Sequence, residues 1–261
     1  MRVDQLGTGE PELAIVGAVH GDEPCGVRAI DRLLETQPEV SRPVELIVAN
    51  ERALQLGVRY VDADLNRSFQ YVAPDAHEAK VADALRARIR NKTILSIHST
   101  QSTEDPFAIV SGLDEGVAPI VAGLSVEAVV DAGPPTEGRI FDTSSTVVEV
   151  EAGLQGSEAA ADNATQLAEE FLFATGALPG TVDRRAHPLF ELGSAISKPP
   201  ATEYEIRARN FTPVAEGEVI ATADDRPIRA DRAFWPVLLS AEGYQDILGY
   251  RGQKEGTVPL P

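Results

Sequence analysis

Apolar positions along this chain recur with two different periods. Short continuous apolar runs bounded by polar residues read as strands buried on both faces. They cover residues 13–19, 44–49 and 93–97, with shorter runs at 107–110, 126–130 and 146–150. Between them lie stretches whose apolar residues return every three or four positions, the stripe of a helix packed on one side. Over 24–36 the stripe is Val27, Ile30, Leu33 and Leu34, with Pro24 suited to a first turn. Over 75–90 it is Ala79, Ala82, Leu85 and Ile89, and over 157–174 it is Ala161, Ala164, Leu167, Ala168 and Phe171. A shorter helix is predicted over 114–123. Strands alternating with helices predict an α/β fold, a mostly parallel or mixed sheet flanked by helices. One segment, 51–74, has no clear period and is rich in Tyr, Asp, Asn and Arg. A polar connection of that length inside a domain is usually functional or disordered, and the many potential side-chain anchors favour a functional one.

From about residue 177 the texture changes. Gly176, Pro179 and Gly180 break the chain, and the remainder has short alternating stretches separated by turn signals such as Asp224-Asp225-Arg226-Pro227. The pattern predicts two domains, an α/β domain over 1–177 and a small all-β domain over 178–261.

Composition narrows the function classes. The 261 residues are 43% hydrophobic, enough for a substantial core, and no apolar run approaches the ~20 residues of a membrane span. The opening stretch MRVDQLGTGE has no apolar segment of the secretory kind. A single cysteine, Cys25, excludes an intramolecular disulfide and a multi-cysteine metal site. Together these predict a cytoplasmic protein. The net charge is −18, with four lysines (Lys80, Lys92, Lys198 and Lys254) against 19 arginines. Such acidity argues against nucleic acid and against anionic membranes as partners. The acids are scattered along the chain, so the acidic, lysine-poor surface predicts a halophilic protein, one working where salt screens self-repulsion.

The chemistry is concentrated at strand ends. The first apolar run stops on His20, and Glu23 follows one turn later at the start of a helix. The run at 93–97 ends in His98. The carboxyl ends of strands in open α/β sheets are where ligands bind. A single histidine there is more often a core or capping residue. Two of them with Glu23 form a His₂Glu set, which leaves one position of a zinc ion open. Asp22 is read as a helix cap or as an orienting partner of an imidazole. A metal-assisted hydrolysis needs a base, and Glu149 and Glu151, which share a strand face, are the candidates. Arg59, Asn66 and Arg67 lie in RYVDADLNRSF, where a guanidinium fork suits an anionic substrate.

These motifs in combination, H-G-D-E-P-x-G, R-Y-x-D-x-D-L-N-R-S-F, I-H-S-T and E-A-G-L-Q, resemble the succinylglutamate desuccinylase/aspartoacylase family of the zinc carboxypeptidase superfamily. The resemblance runs from about residue 13 to the C-terminus. It implies a carboxypeptidase-like catalytic domain and a small β domain that helps to close the active site. It implies one Zn²⁺ per chain held by His20, Glu23 and His98, and Glu151 rather than Glu149 as general base. Arg59 would help polarise the scissile carbonyl. Asn66, Arg67, Arg139 and Tyr244 would contact the substrate, a small anionic N-acyl amino acid whose amide is hydrolysed. The rivals are a zinc carboxypeptidase acting on peptides and a binding module that has kept the fold. Cys25 reads as a small buried thiol in a helix. His77 and His187 receive no role. Ser96 and Ser99 flank His98, and strand alternation is taken to argue against a Ser–His dyad.

Overall fold

The computed structural model describes residues 1–70, 73–134, 138–144 and 146–260. The first half of the chain alternates strand and helix: β1 (Arg2–Leu6), β2 (Leu13–Gly17), α1 (Cys25–Thr36), β3 (Val44–Val48), α2 (Glu51–Leu56), α3 (His77–Ile89), β4 (Thr93–Thr100) and β5 (Phe107–Val110). Then come α4 (Ala118–Ala122), β6 (Val129–Asp131), β7 (Thr146–Leu154) and α5 (Glu158–Ala174). The remainder is all strand: β8 (Pro188–Ser197), β9 (Tyr204–Ile206), β10 (Val219–Ala223), β11 (Arg226–Arg229), β12 (Trp235–Val237) and β13 (Ile247–Thr257).

Ten strands form one sheet in the order β1-β3-β2-β4-β7-β5-β6-β8-β13-β12. Its centre is parallel from β3 through β2 and β4 to β7. Both faces of that centre are covered. Leu13 and Ile15 of β2 pack with Ile30 and Leu33 of α1 and Leu167 and Phe171 of α5. Ala14 and Val16 point the other way, into a core with Val81, Leu85 and Ile89 of α3. This double burial is why the strand sequences read as continuous apolar runs. Each fully buried Leu, Ile or Phe contributes roughly 1.5–3 kcal/mol relative to exposure.

The predicted elements reappear with shifted ends. The first run stops as a strand at Gly17, because Ala18 takes a left-handed φ of 50° and turns the chain out of the sheet. The helix expected over 114–123 is confined to α4, and ahead of it the Asp114 Oδ1 accepts from the Gly116 and Val117 N–H groups in a turn. The 51–74 segment is ordered where described: it holds α2 and a 3₁₀ turn at Leu65–Arg67. Its residues 71 and 72 lie outside the described residues.

Hydrogen bonding of the large sheet runs across residue 177. β6 pairs in parallel with β8, and β8 pairs with β13, which pairs with β12. Beyond it, β9, β10 and β11 make a separate three-stranded antiparallel sheet over its own small core, including Val214, Ile220 and Phe234. No helix among the described residues is long and apolar enough to cross a membrane.

Candidate functional site

The carboxyl-terminal parts of three neighbouring strands converge here, and β4 and β7 run on past the residues at which their apolar runs stop. His20 follows β2, His98 stands in β4, and Glu151 is its register partner in β7. Glycines let the first segment close on the others. A Cβ on Gly26 would lie 2.9 Å from the Gly17 Cα, so α1 starts directly against β2 and carries Glu23 towards β4. A Cβ on Gly21 would lie 2.1 Å from the Ala53 carbonyl carbon, so the turn after His20 is seated on α2.

Glu23 sits between the two imidazoles. Its Oε1 is 2.9 Å from His20 Nδ1 and its Oε2 is 2.9 Å from His98 Nδ1. Donor atoms of the three buried side chains lie within 4.8 Å of one another. The far nitrogen of each ring is anchored: His20 Nε2 is 3.1 Å from Asp64 Oδ1, and His98 Nε2 is 3.0 Å from Ser96 Oγ. Rings donating from Nε2 keep an Nδ1 lone pair for an ion. Two imidazole nitrogens and a carboxylate, oriented in this way, fit a divalent cation such as zinc. Burial disfavours the charged imidazole of His20, but Glu23 and Asp64 outweigh it and raise the group to about 9. Burial would likewise raise Glu23, and the two imidazoles hold it well below the usual carboxylate range. The protons on these rings are what a bound cation must displace.

Two sequence expectations are corrected here. Asp22 neither caps α1, whose N-cap is Pro24 without a side-chain bond, nor touches an imidazole, and its buried Oδ1 has no hydrogen-bond partner. Asp64 does the orienting. Ser96 is two residues before His98 and therefore on the same strand face, so it does contact the ring. Its partner is the nitrogen turned away from Glu23, which makes Ser96 an anchor of the ring.

Glu151 and Glu149 share a strand face but differ in surroundings. The Oε2 of Glu151 is buried without a hydrogen-bond partner. Burial, and then the charge of Glu23, push its carboxyl up to about 7. Glu149 is fully engaged. Its Oε2 accepts from Arg139 Nη2 at 2.6 Å and its Oε1 from Asn66 Nδ2 at 2.7 Å. Burial would raise it too, but Arg139 and then His98 hold it below the usual range.

The 59–67 loop brings Arg59, Asp64, Asn66 and Arg67 to the same place. Arg59 donates to Glu23 Oε1 at 3.1 Å and to Asp64 Oδ2 at 3.3 Å. The loop is held by Glu78 of α3, a fully buried carboxylate that accepts from the backbone N–H groups of Val61, Asp62 and Ala63 and from Asn50 Nδ2. Burial opposes its charge, and these donors still keep it below the usual range. From the C-terminal region Tyr244 packs edge-on against Tyr250, with ring centres 5.9 Å apart. Leu238, Ser240 and Glu242 stand beside it.

One cavity is lined by every residue that the resemblance gives a site role: His20, Glu23, Arg59, Asn66, Arg67, His98, Arg139, Glu151 and Tyr244. Cys25 is buried behind it in α1, donates to the His98 carbonyl, and is pushed up to about 12 by burial and then by Glu23. It has neither the exposure nor the thiolate character of a nucleophile. Sequence reasoning gave no role to Asp64 or Glu78 and set Ser96 aside. The D-x-D-L-N-R spacing and the i−2 position of Ser96 carried a signal for Asp64 and Ser96; Glu78 carried none, because it acts from α3 on the backbone of residues 61–63.

Residues 9–171 match the family model described as the succinylglutamate desuccinylase/aspartoacylase catalytic domain. An aspartoacylase of Xenopus tropicalis is 31% identical over 121 residues, covering 44% of this chain and 37% of the relative. An N-acyl-aromatic-L-amino acid amidohydrolase (carboxylate-forming) of the same organism is 31% identical over 106 residues, covering 35% of this chain and 34% of the relative. Each alignment thus spans little more than a third of the curated relative. A solved structure of a succinylglutamate desuccinylase/aspartoacylase from Rhodobacter sphaeroides shares the fold, with a TM-score of 0.79 at 16% identity over 97% of this chain and 89% of that one.

Proposed function

Because the chain belongs to the succinylglutamate desuccinylase/aspartoacylase family, we propose that it is a zinc-dependent hydrolase cleaving the amide bond of a small N-acyl amino acid. The observation that carries this reading is the buried His20–Glu23–His98 cluster beside an unpartnered carboxylate, Glu151. His20, Glu23 and His98 would hold one zinc ion. Zinc in such a site polarises a carbonyl and makes water more acidic.

The protein's own groups then divide the work. Glu151 is the proton carrier. A carboxyl poised near 7 can take a proton from the attacking water and return it to the leaving amine nitrogen. Arg59, oriented by Glu23 and Asp64, offers positive charge to the oxyanion that develops on the scissile carbonyl. Arg67, whose Nη1 donates to the Asn66 carbonyl at 2.8 Å, is assigned the substrate carboxylate, and Asn66, whose Nδ2 donates to Glu149, shapes the wall beside it. The C-terminal region 178–261 supplies the wall containing Tyr244 and so limits the size of what enters.

A hydrolysis screen of N-acyl amino acids and short peptides, with added zinc and in high salt, tests the reading. Turnover of N-acyl amino acids without turnover of peptides is expected. Turnover of peptides alone would make the protein a carboxypeptidase, and a zinc-loaded protein inert towards both would make it a binding module.

A further inference from the structure

We infer that Glu149 is a specificity-determining residue: its carboxylate fills the Asn66–Arg139 clamp from within, so the site takes substrates carrying one carboxylate only. The inference rests on the deacylase reading and concerns which N-acyl amino acid is accepted. Asn66 and Arg139 are a carboxamide donor and a guanidinium donor aimed at one point, the arrangement that binds a carboxylate. That point is occupied by Glu149. Asn66 Nδ2 donates to Oε1 at 2.7 Å and Arg139 Nη2 to Oε2 at 2.6 Å, one donor on each oxygen. The other end of the Asn66 amide is also fixed, since its Oδ1 accepts from the Ile140 N–H at 2.8 Å. Glu149 cannot readily swing aside, because its side chain is 3% exposed and it lies in the centre of β7.

Charge leads to the same conclusion. Five carboxylates line the cavity, Asp22 and Glu242 among them, against three arginines. With Glu151 ionised, as it must be to take a proton from water, a divalent cation in the His20–Glu23–His98 cluster brings that balance only to neutral. The α-carboxylate of a substrate then makes it negative. A second carboxylate, on the side chain or on the acyl group, would approach Arg139 and meet Glu149 on the same guanidinium. Like charges opposed in a desolvated site repel and act chiefly against the wrong partner. An uncharged group of the same shape meets no such cost.

The test is a set of matched substrates of the same shape that differ in that charge: N-acetyl-asparagine against N-acetyl-aspartate, and an N-succinamoyl against an N-succinyl amino acid. With the zinc-loaded full chain, kcat/KM is expected to favour the uncharged member by roughly tenfold or more, mostly through KM. Glu149→Gln, which leaves Arg139 without its counter-charge, is expected to shift the ratio towards the charged member by roughly tenfold. A wild-type preference for N-acetyl-aspartate or the succinyl compound overturns the proposal, and that comparison decides even if the variant fails to fold. Calorimetric binding of asparagine and aspartate to the zinc-loaded protein reads the same discrimination without turnover. Absence of hydrolysis would therefore count against the deacylase reading, and tighter binding of aspartate against this one.

Discussion

One oxygen of Glu151 is buried with no hydrogen-bond partner, next to three side chains that converge on a cation site. A carboxylate left so is costly to the fold, and such costs collect where chemistry needs them. Replacing it with Gln removes the proton carrier and leaves the cluster donors untouched. The expected outcome is a fall in kcat of about 10²–10⁴ with zinc content unchanged by elemental analysis and the thermal midpoint at or above the wild-type value. Wild-type turnover in this variant would remove Glu151 from the mechanism. The sequence identified Glu151 because it ends an apolar run, and His20, Glu23 and His98 for similar reasons. It could not separate Glu151 from Glu149 on pattern alone, because both face the same side of β7. What separates them is the Asn66–Arg139 clamp, assembled from segments 83 and 10 residues away. That long-range pairing is invisible to local periodicity.

At the scale of elements, the strands and helices around the sheet were legible wherever burial imposes a period. The 59–67 loop was not, because its order comes from a single side chain on a helix that follows it. Glu78 replaces the missing ladder of that loop by taking three backbone donors on two oxygens. A Gln at this position keeps one acceptor oxygen and turns the other into a donor facing N–H groups. The loop should loosen, at a cost of about 1–3 kcal/mol for the charged hydrogen bonds lost, and KM should rise because Arg67 and Asn66 ride on the loop. The pH dependence has a definite sign. The folded-state carboxyl is held below its unfolded value, so its contribution is complete above an unfolded value of about 4.3. It is lost as pH falls through the lower, folded value. Denaturant midpoints of wild type and Glu78→Gln, compared at pH 7 and then below pH 4, should therefore converge in acid. A gap that stays constant with pH would show that the variant acts through packing and not through charge.

Taken as a whole, the molecule sets two electrostatic effects against each other. A net charge of −18 makes every acidic surface group repel the rest. Against this stand surface ion pairs such as Arg42–Glu12 at 2.6 Å and Arg207–Glu205 at 2.6 Å, which are exposed on both sides. Pairs of that kind contribute ~0–1 kcal/mol each and are themselves screened by salt. The buried pairs at the site, Arg139–Glu149 above all, are shielded from salt by the protein. Raising ionic strength shortens the screening length from ~10 Å at 0.1 M to ~3 Å at 1 M, and so removes repulsion among many groups while removing attraction from few. The large sheet explains why this matters for the fold. β8, β12 and β13 extend it beyond the doubly covered centre, and β8 and β13 keep largely exposed faces. That one-sided burial is what made the region read as a β domain of its own. Strands there have less apolar area to offset repulsion than β2, β3 and β4 do. The thermal midpoint should therefore rise steadily between 0.1 and 2 M KCl, by a few degrees for each ~1 kcal/mol of repulsion removed. Hydrogen exchange should show β8 and β13 gaining protection before the central strands do. Full stability in dilute buffer, with a flat or falling midpoint as KCl is added, would sink the halophilic reading and leave the acidity without a stability role.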